Sequence, residues 1–322
     1  MGDIVRFLAR RLIFSIVVLW FVATIVFFMY FVAPNDVART LAGRQASAAT
    51  VAAIRHNLGL DRPLLVQYWS FLGRAAHGNL GFSYLNSRSV LSLVGQRAGV
   101  TVSLVVGGAV IWLVIGVGAG MLGATRPRSV IDRATTGIAL LFYSMPTFLL
   151  GEFLLLVLFF RLHLIGVDWF PGAGYVPLAT DPLQWALHLV LPWLTIALIT
   201  AATYARLTRS SMLDVMGEDY IRTARAKGIS RPRILFRHVL RSAITPVVTQ
   251  FGIDVGTMLG GVVVTENVFG LPGMGQLIVS SITRQDLPTI IGLVLLASAF
   301  VIVANIIVDI VYVFLDPRVR LN

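Results

Sequence analysis

The sequence has no cysteine, a single lysine at position 227, and few charges of any kind: Asp, Glu, Lys and Arg make up 13% of its 322 residues. The missing cysteine excludes disulfides, thiolate catalysis and Cys-based metal sites. The scarcity of charge excludes more. An average soluble protein carries about 25% charged residues. A chain with 57% hydrophobic residues and a mean hydropathy of +0.84 cannot coat a soluble fold of this size. A soluble enzyme, a disordered tail and a nucleic-acid-binding module are therefore ruled out. No G-x-x-x-x-G-K-[ST] loop is present to cradle phosphates; Lys227-Gly228 has the order reversed. No H-E-x-x-H motif occurs, and His163, His188 and His238 show no ligand spacing to one another. No catalytic residue, bound metal or cofactor is expected on this chain.

What the sequence has instead is long apolar runs. The first, Leu12 to Ala33, holds no charge and follows Arg6, Arg10 and Arg11. It has the length a bilayer-spanning helix needs. It is too long, and ends in residues too bulky, for a cleaved signal peptide. Further runs at 101–124, 138–160, 188–204, 243–265 and 290–314 bring the expected spans to six. The expected class is all-α and polytopic, with both termini on one side. Residues 34–97 differ: polar, rich in Gly, Ala and Arg, and too long for a connector. They predict an extramembranous insert of short helices and turns, with Tyr68, Trp69 and Tyr84 at the membrane interface or in a small core. The expected division is thus 1–33, 34–97, a core at 98–315 and a tail at 316–322.

The net charge of +11 is unevenly placed. Nine of the 26 basic residues fall in 206–241, three (Arg126, Arg128, Arg133) in the 125–133 connector, and others at Arg6, Arg10, Arg11, Arg318 and Arg320. Cytoplasmic loops collect cations, so this distribution predicts cytoplasmic termini and a cytoplasmic 206–241 loop.

That loop is the most informative stretch. Glu218 and Asp219 precede Tyr220-Ile221-Arg222-Thr223-Ala224-Arg225-Ala226-Lys227, and Gly228 follows. Acids first and cations last suit a helix dipole, and Gly228 is placed for a left-handed cap. Beyond Ile229, Ser230 can cap a second helix with Pro232 in its first turn. Met216, Tyr220 and Ala224 are spaced four apart and predict one apolar face. So short a helix needs a surface to dock on. Anionic headgroups and a groove on a cytoplasmic partner both qualify.

Acids inside apolar runs are costly, so Glu152, Asp254 and Asp309 are functional candidates, with Glu266 at the end of the fifth run. Each also has a plainer reading, as a partner of a neighbouring helix. Pro146, Pro192 and Pro246 predict kinks, and Gly256, Gly260 and Gly261 close helix packing.

Residues 217–250, GEDYIRTARAKGISRPRILFRHVLRSAITPVVTQ, resemble the coupling loop of ABC-importer membrane subunits, in the branch serving oligopeptides, dipeptides and nickel. Of the general pattern Glu-Ala-Ala, three residues, Gly, only Ala224 and Gly228 match, and Leu240 is followed by Arg241 rather than Pro. The Arg-Thr-Ala-Arg-Ala-Lys-Gly run is that of the peptide-permease branch. GLDRPLLVQY (59–68), GNLGFSY (78–84), YSMPTFLLG (143–151), HLVLPWLTIAL (188–198), ENVFGLPGMGQL (266–277) and LDPRVRL (315–321) resemble the same branch in the same order. The large insert resembles its B-type subunit.

The resemblance implies a type I ABC-importer permease fold in a bacterial cytoplasmic membrane. It implies a second permease subunit, cytoplasmic ATPase subunits carrying ATP and Mg, an extracytoplasmic substrate-binding protein and a peptide substrate. Residues 218–230 would couple to the ATPase. Arg222, Arg225 and Lys227 would orient docking; Tyr220, Ala224 and Ala226 would fill a cleft; Gly228 would permit the break. Glu152, Asp254 and Glu266 are the possible pathway residues. The competing expectation is an ion-coupled secondary transporter relaying through Glu152, Asp254 or Asp309, which predicts inverted repeats that the halves do not display.

Overall fold

The computed structural model describes residues 2–29, 38–39, 46–57, 59–83 and 85–315, without the side chains of 2–5, 7–8, 57, 255–257, 259–261, 308–309 and 311–315. The expectations on Tyr84, the side-chain surroundings of Gly256, Gly260 and Gly261, the Asp309 carboxylate and the 316–322 tail lie outside these.

The described elements are helical apart from one hairpin. In chain order they are α1 (Gly2–Phe27), α2 (Ala48–Asn57), α3 (Leu64–Ala76), β1 (Phe82–Ser83), β2 (Arg88–Ser89), α4 (Val90–Thr125), α5 (Val130–Tyr143) and α6 (Thr147–Leu164). Then come α7 (Pro182–Met216), α8 (Asp219–Ala226), α9 (231–243), α10 (Thr245–Val268), α11 (Met274–Thr283) and α12 (Leu287–Leu315). Among the described residues, stretches of α1, α4, α6, α7 and α12 are long and apolar enough to cross a membrane. Six spans were expected. The fifth run, 243–265, falls on the 24-residue helix α10, six of whose side chains lie outside the described residues.

The third expected span, 138–160, is not one helix. It breaks between α5 and α6 at Ser144-Met145-Pro146. Proline has no N–H to continue the ladder and pushes the preceding residue out of helical geometry. Pro146 itself stands at φ −58°, ψ 139°, starting α6 afresh. Other helices outrun their apolar cores: α4 starts at Val90 rather than 101, and α7 runs from Pro182 to Met216 rather than 188–204. Asp181 sets the α7 start, its carboxylate accepting from the N–H groups of Leu183 and Gln184, with Pro182 in the first turn. Pro192 is tolerated within α7 and buried.

The chain divides into two compact units. The first comprises residues 1–99 and 276–306. Its core is a satellite cluster in which Ala23, Val26 and Phe27 of α1, Phe71 of α3, and Ile291 and Leu295 of α12 are buried together. The hairpin β1–β2 is antiparallel, with Phe82 opposite Ser89. It is tied down by Asp286, whose Oδ2 accepts from Ser83 (2.5 Å), Thr289 (2.7 Å) and Asn86 (3.3 Å). Where described, residues 34–97 hold the short helices α2 and α3, a hairpin that was not expected, and from Val90 the start of the long helix α4.

The second unit comprises residues 100–275 and 307–322. Its main core joins α4, α7 and α10 through Leu104, Trp112, Leu189, Leu191, Ile196, Tyr204, Val247 and Val262. Beneath it lies a smaller cluster of Ala124, Met212, Ile221, Ala224, Ile234, Val239 and Ala243.

Candidate functional site

The short helix α8 begins at Asp219, with Glu218 in the capping position in extended geometry and making no side-chain cap bond. Asp219 in the first turn and Arg225 in the last are placed as the helix dipole favours. Its C-terminus is a Schellman motif. The Gly228 N–H donates to the Arg225 carbonyl (3.0 Å), and the Ile229 N–H reaches back to the Ala224 carbonyl (3.2 Å). Gly228 stands at φ +74°, and a β-carbon there would meet nothing within 4 Å. The requirement for glycine is therefore conformational and owes nothing to crowding. Ser230 takes the capping position of α9 in extended geometry with Pro232 in the first turn, but its hydroxyl makes no cap bond.

The apolar face of α8 is not the expected one. Ile221 and Ala224 are buried, in contact with the cluster formed by Met212, Ile234 and Val239, whereas Tyr220 is exposed. The reason is local. Met216 is the last residue of α7, and the chain turns at Gly217-Glu218, so the four-residue register from Met216 to Tyr220 does not carry across. Within α8 the pair three apart, Ile221 and Ala224, sets the stripe. Ala224 is consequently covered by its own chain and does not reach outward to fill a cleft. The outward face is Tyr220, Arg222, Thr223, Arg225, Ala226 and Lys227. Arg222 Nη1 lies 3.3 Å from Asp219 Oδ1, both largely exposed, and Thr223 donates to the Asp219 carbonyl. The Tyr220 hydroxyl donates to Ser242 Oγ at 3.2 Å, linking α8 to the end of α9.

A second polar tie holds this end of the unit, and the sequence reading missed it. Asp132, buried at the start of α5, accepts two bonds from the Arg209 guanidinium of α7, from Nε (2.5 Å) and Nη2 (2.8 Å). It also accepts from the Arg128 N–H (2.8 Å), and Arg128 stands at φ 63° to allow this. The Arg209 bonds, then the Arg128 N–H, hold the Asp132 carboxyl down to about 2. The signal was available: Ser129-Val130-Ile131-Asp132 has capping-box spacing, and Ser129 Oγ does accept from the Asp132 N–H. Its partner, 77 residues away, was not legible. Beside this pair lies a cavity of about 260 Å³, with Thr135, Thr136, Tyr143, Arg206, Arg209 and Ser210 in its wall. The Arg206 guanidinium sits 5.9 Å over the Tyr143 ring.

The acids of the apolar runs separate into different environments. Glu152 of α6 is exposed while its neighbours Leu150, Gly151 and Leu154 are buried. Asp254 of α10 accepts from the Tyr204 hydroxyl (2.7 Å) and from Gln250 Nε2 (2.9 Å). Glu266 is 0% exposed, and its Oε1 accepts from Thr101 Oγ1 at 2.6 Å. The same Thr101 hydroxyl accepts from the Met274 N–H at 2.9 Å. The Leu-Pro-Gly-Met-Gly turn (271–275) wraps this carboxylate so closely that a β-carbon at Gly273 would overlap it. Glu266 therefore anchors a loop; it does not line an open surface. Among the described residues no three His, Cys, Asp or Glu side chains are grouped to hold a metal.

Two family profiles cover most of the chain. Residues 4–105 match the N-terminal region of binding-protein-dependent transport system membrane components. Residues 113–321 match the inner membrane component itself. A probable peptide ABC transporter permease of Sinorhizobium fredii is 39% identical over 314 residues, 98% of this chain and 99% of that protein. A putative peptide transport system permease of Brucella abortus is 40% identical over 311 residues, 97% of this chain and 98% of that one. The glutathione transport system permease GsiC of Shigella flexneri is 37% identical over 315 residues, 98% and 99% of the two chains. In fold, the chain is similar to an inward-facing MetNI methionine ABC transporter structure, with TM-score 0.54 and 21% identity over 70% of this chain and 96% of that one. The helices and these full-length likenesses agree: the chain belongs to the binding-protein-dependent transport system inner membrane components, and is a transmembrane subunit of an ABC importer.

Proposed function

We propose that this subunit forms half of a peptide translocation pathway in a bacterial cytoplasmic membrane, the other half coming from a second permease subunit. The names of its relatives, peptide and glutathione permeases, support that substrate class. Cytoplasmic ATPase subunits bind ATP and Mg and dock on α8; an extracytoplasmic binding protein delivers the peptide. Both termini and the 206–241 loop lie in the cytoplasm, in keeping with the distribution of arginine.

The observation that carries the coupling role is the division of α8 into two faces. Ile221 and Ala224 fix it to the rest of the second unit, leaving Tyr220, Arg222, Arg225, Ala226 and Lys227 outward. Force applied to the outer face passes through the Schellman turn and α9 toward α10, as rigid-body switching between two states requires. Glu152 supports the pathway reading. An exposed carboxylate in a lipid-facing position is costly, so it faces the second subunit or the peptide, where an amino terminus would be its partner.

The test is peptide uptake and ATP hydrolysis by the complex reconstituted in liposomes. Arg225→Glu with Lys227→Glu abolishes uptake and the peptide-stimulated part of ATP hydrolysis, while the chain still inserts. Uptake at the unaltered rate with ATPase subunits bound as before overturns the docking role.

A further inference from the structure

Helix α3 leaves a large apolar surface uncovered. Leu65 is 73% exposed and Trp69 66%, with Leu64 and Val66 also exposed. These residues are not randomly placed. At about 100° per residue, Tyr68, Phe71, Leu72 and Ala75 form the stripe that packs into the cluster with α1 and α12. On one side of that stripe fall Leu65, Trp69 and Ala76. On the other fall Gln67, Ser70 and Arg74. Gln67 uses its amide on the carbonyls of Leu60 and Arg62, and Arg74 donates to Ser70 Oγ. The helix therefore has a packed stripe with an apolar flank and a polar flank.

The depth of α3 follows from what the packed stripe touches. Tyr68 Oη shares a 2.7 Å hydrogen bond with Thr24, and the Tyr68 and Phe71 rings lie 5.2 and 5.7 Å from that of Phe27. Thr24 and Phe27 belong to the apolar stretch Ala9–Phe27 of α1. Ile291 and Leu295, in the same cluster, lie four and eight residues into the apolar stretch Leu287–Ile307, about 6 and 12 Å at 1.5 Å per residue. Phe27 lies six residues before the end of the Leu12–Ala33 run, and Ile291 and Leu295 lie in the first turns of α12. The packed stripe of α3 thus reaches the outer hydrocarbon, within the roughly 5–10 Å to which an interfacial helix buries its apolar face, and its flanks meet different solvents.

We propose that α3 is an interfacial helix. Its Leu65–Trp69 flank lies in the headgroup–acyl boundary of the bilayer, in the leaflet at the end of α1 remote from Arg6, Arg10 and Arg11. Its Gln67–Ser70–Arg74 flank faces water. The tryptophan fits this place because an indole buries its ring among acyl chains and keeps its N–H among headgroups. The occupant is continuous with the lipid that covers the exposed side chains of α1, Phe21, Ile25 and Phe28. The helix then acts as an in-plane anchor that fixes the height of the insert over the membrane.

The absence of cysteine makes the test direct. Leu65→Cys, Trp69→Cys, Ser70→Cys and Arg74→Cys are each labelled with a nitroxide in the assembled complex, in phosphatidylcholine–phosphatidylglycerol nanodiscs. The signal of the unaltered complex is subtracted. Collision with oxygen, which partitions into lipid, is compared with collision with a nickel chelate, which does not. The oxygen-to-nickel ratio is expected to be several-fold higher at 65 and 69 than at 70 and 74. Equal ratios at all four positions, meaning water on both flanks, overturn the proposal. So does shielding of 65 and 69 from both reagents, which would mean a protein partner on that flank. Should Trp69→Cys fail to assemble, Leu65→Cys carries the comparison. Quenching by brominated lipid that falls in Trp69→Phe reads the same contact independently.

Discussion

Helices α3 and α8 are both short, both amphipathic and both held to a larger helical body by a few buried side chains. They differ in what they leave outside. Helix α8 shows Arg222, Arg225 and Lys227 around one tyrosine; α3 shows Leu64, Leu65, Val66 and Trp69 with its polar groups confined to one flank. The inward stripes, buried Ile221 with Ala224 and buried Phe71 with partly buried Tyr68, say only that each helix is anchored. The two proposals rest on that remaining surface: charge suits a protein groove in water, aliphatic and indole surface suits lipid.

This contrast can be broken by exchanging anchors and faces. The largest effect is expected from Ile221→Ala. Removing a fully buried isoleucine costs about 2–5 kcal/mol, releases α8 and abolishes coupling. Thermal unfolding and peptide-stimulated ATP hydrolysis check it, and an unchanged melting temperature would contradict the buried face assigned here. Gly228→Val comes next. Left-handed geometry costs a non-glycine residue about 1–2 kcal/mol, and nothing crowds the site, so uptake falls while insertion and helix content are kept; Gly228→Asn is milder, because asparagine tolerates that geometry. Acid has a smaller and more local effect. The Asp132 carboxyl is depressed to about 2 from an ordinary 3.8. The stability this adds is fully present above about pH 4 and is lost as pH falls toward 2. Asp132→Asn removes that dependence, which an acid melt of the two proteins in detergent resolves. The smallest effect is expected from Arg222→Ala, since its bond to Asp219 is solvent-exposed and such pairs contribute little. Its melting temperature should match that of the unaltered chain, with any loss confined to uptake. A matching loss of stability would mean that the outer face of α8 is structural after all.

Much of this architecture was readable in the chain itself. Pro146 marked a kink and Gly228 a left-handed cap, because each is decided by backbone geometry within a few residues, whereas the start of α7 at Asp181-Pro182 was not read. What could not be read depends on distance through space. Periodicity suggested one face shared by Met216, Tyr220 and Ala224, but the turn at Gly217 reset the register and only packing shows that Ile221 and Ala224 face inward while Tyr220 is exposed. Asp132 and Arg209, 77 residues apart, each looked like ordinary members of a polar connector and a basic loop. Glu266 stands out in the sequence because a carboxylate in an apolar run is conspicuous. Its contacts with Thr101 and the glycine turn around it follow only from packing.

That last bond also places an order on biogenesis. Thr101 and Glu266 are separated by 165 residues, so at about 5–20 residues per second the ribosome delivers the glutamate on the order of ten seconds or more after the threonine. Until then the Thr101 hydroxyl has no partner in Glu266, and when α10 emerges it carries a carboxylate into the bilayer. The helix that receives it, α4, is already made. Docking of Glu266 on Thr101 therefore joins α10 to a helix made earlier. A chain from which α4 is deleted would bring that carboxylate in without the Thr101 hydroxyl to receive it.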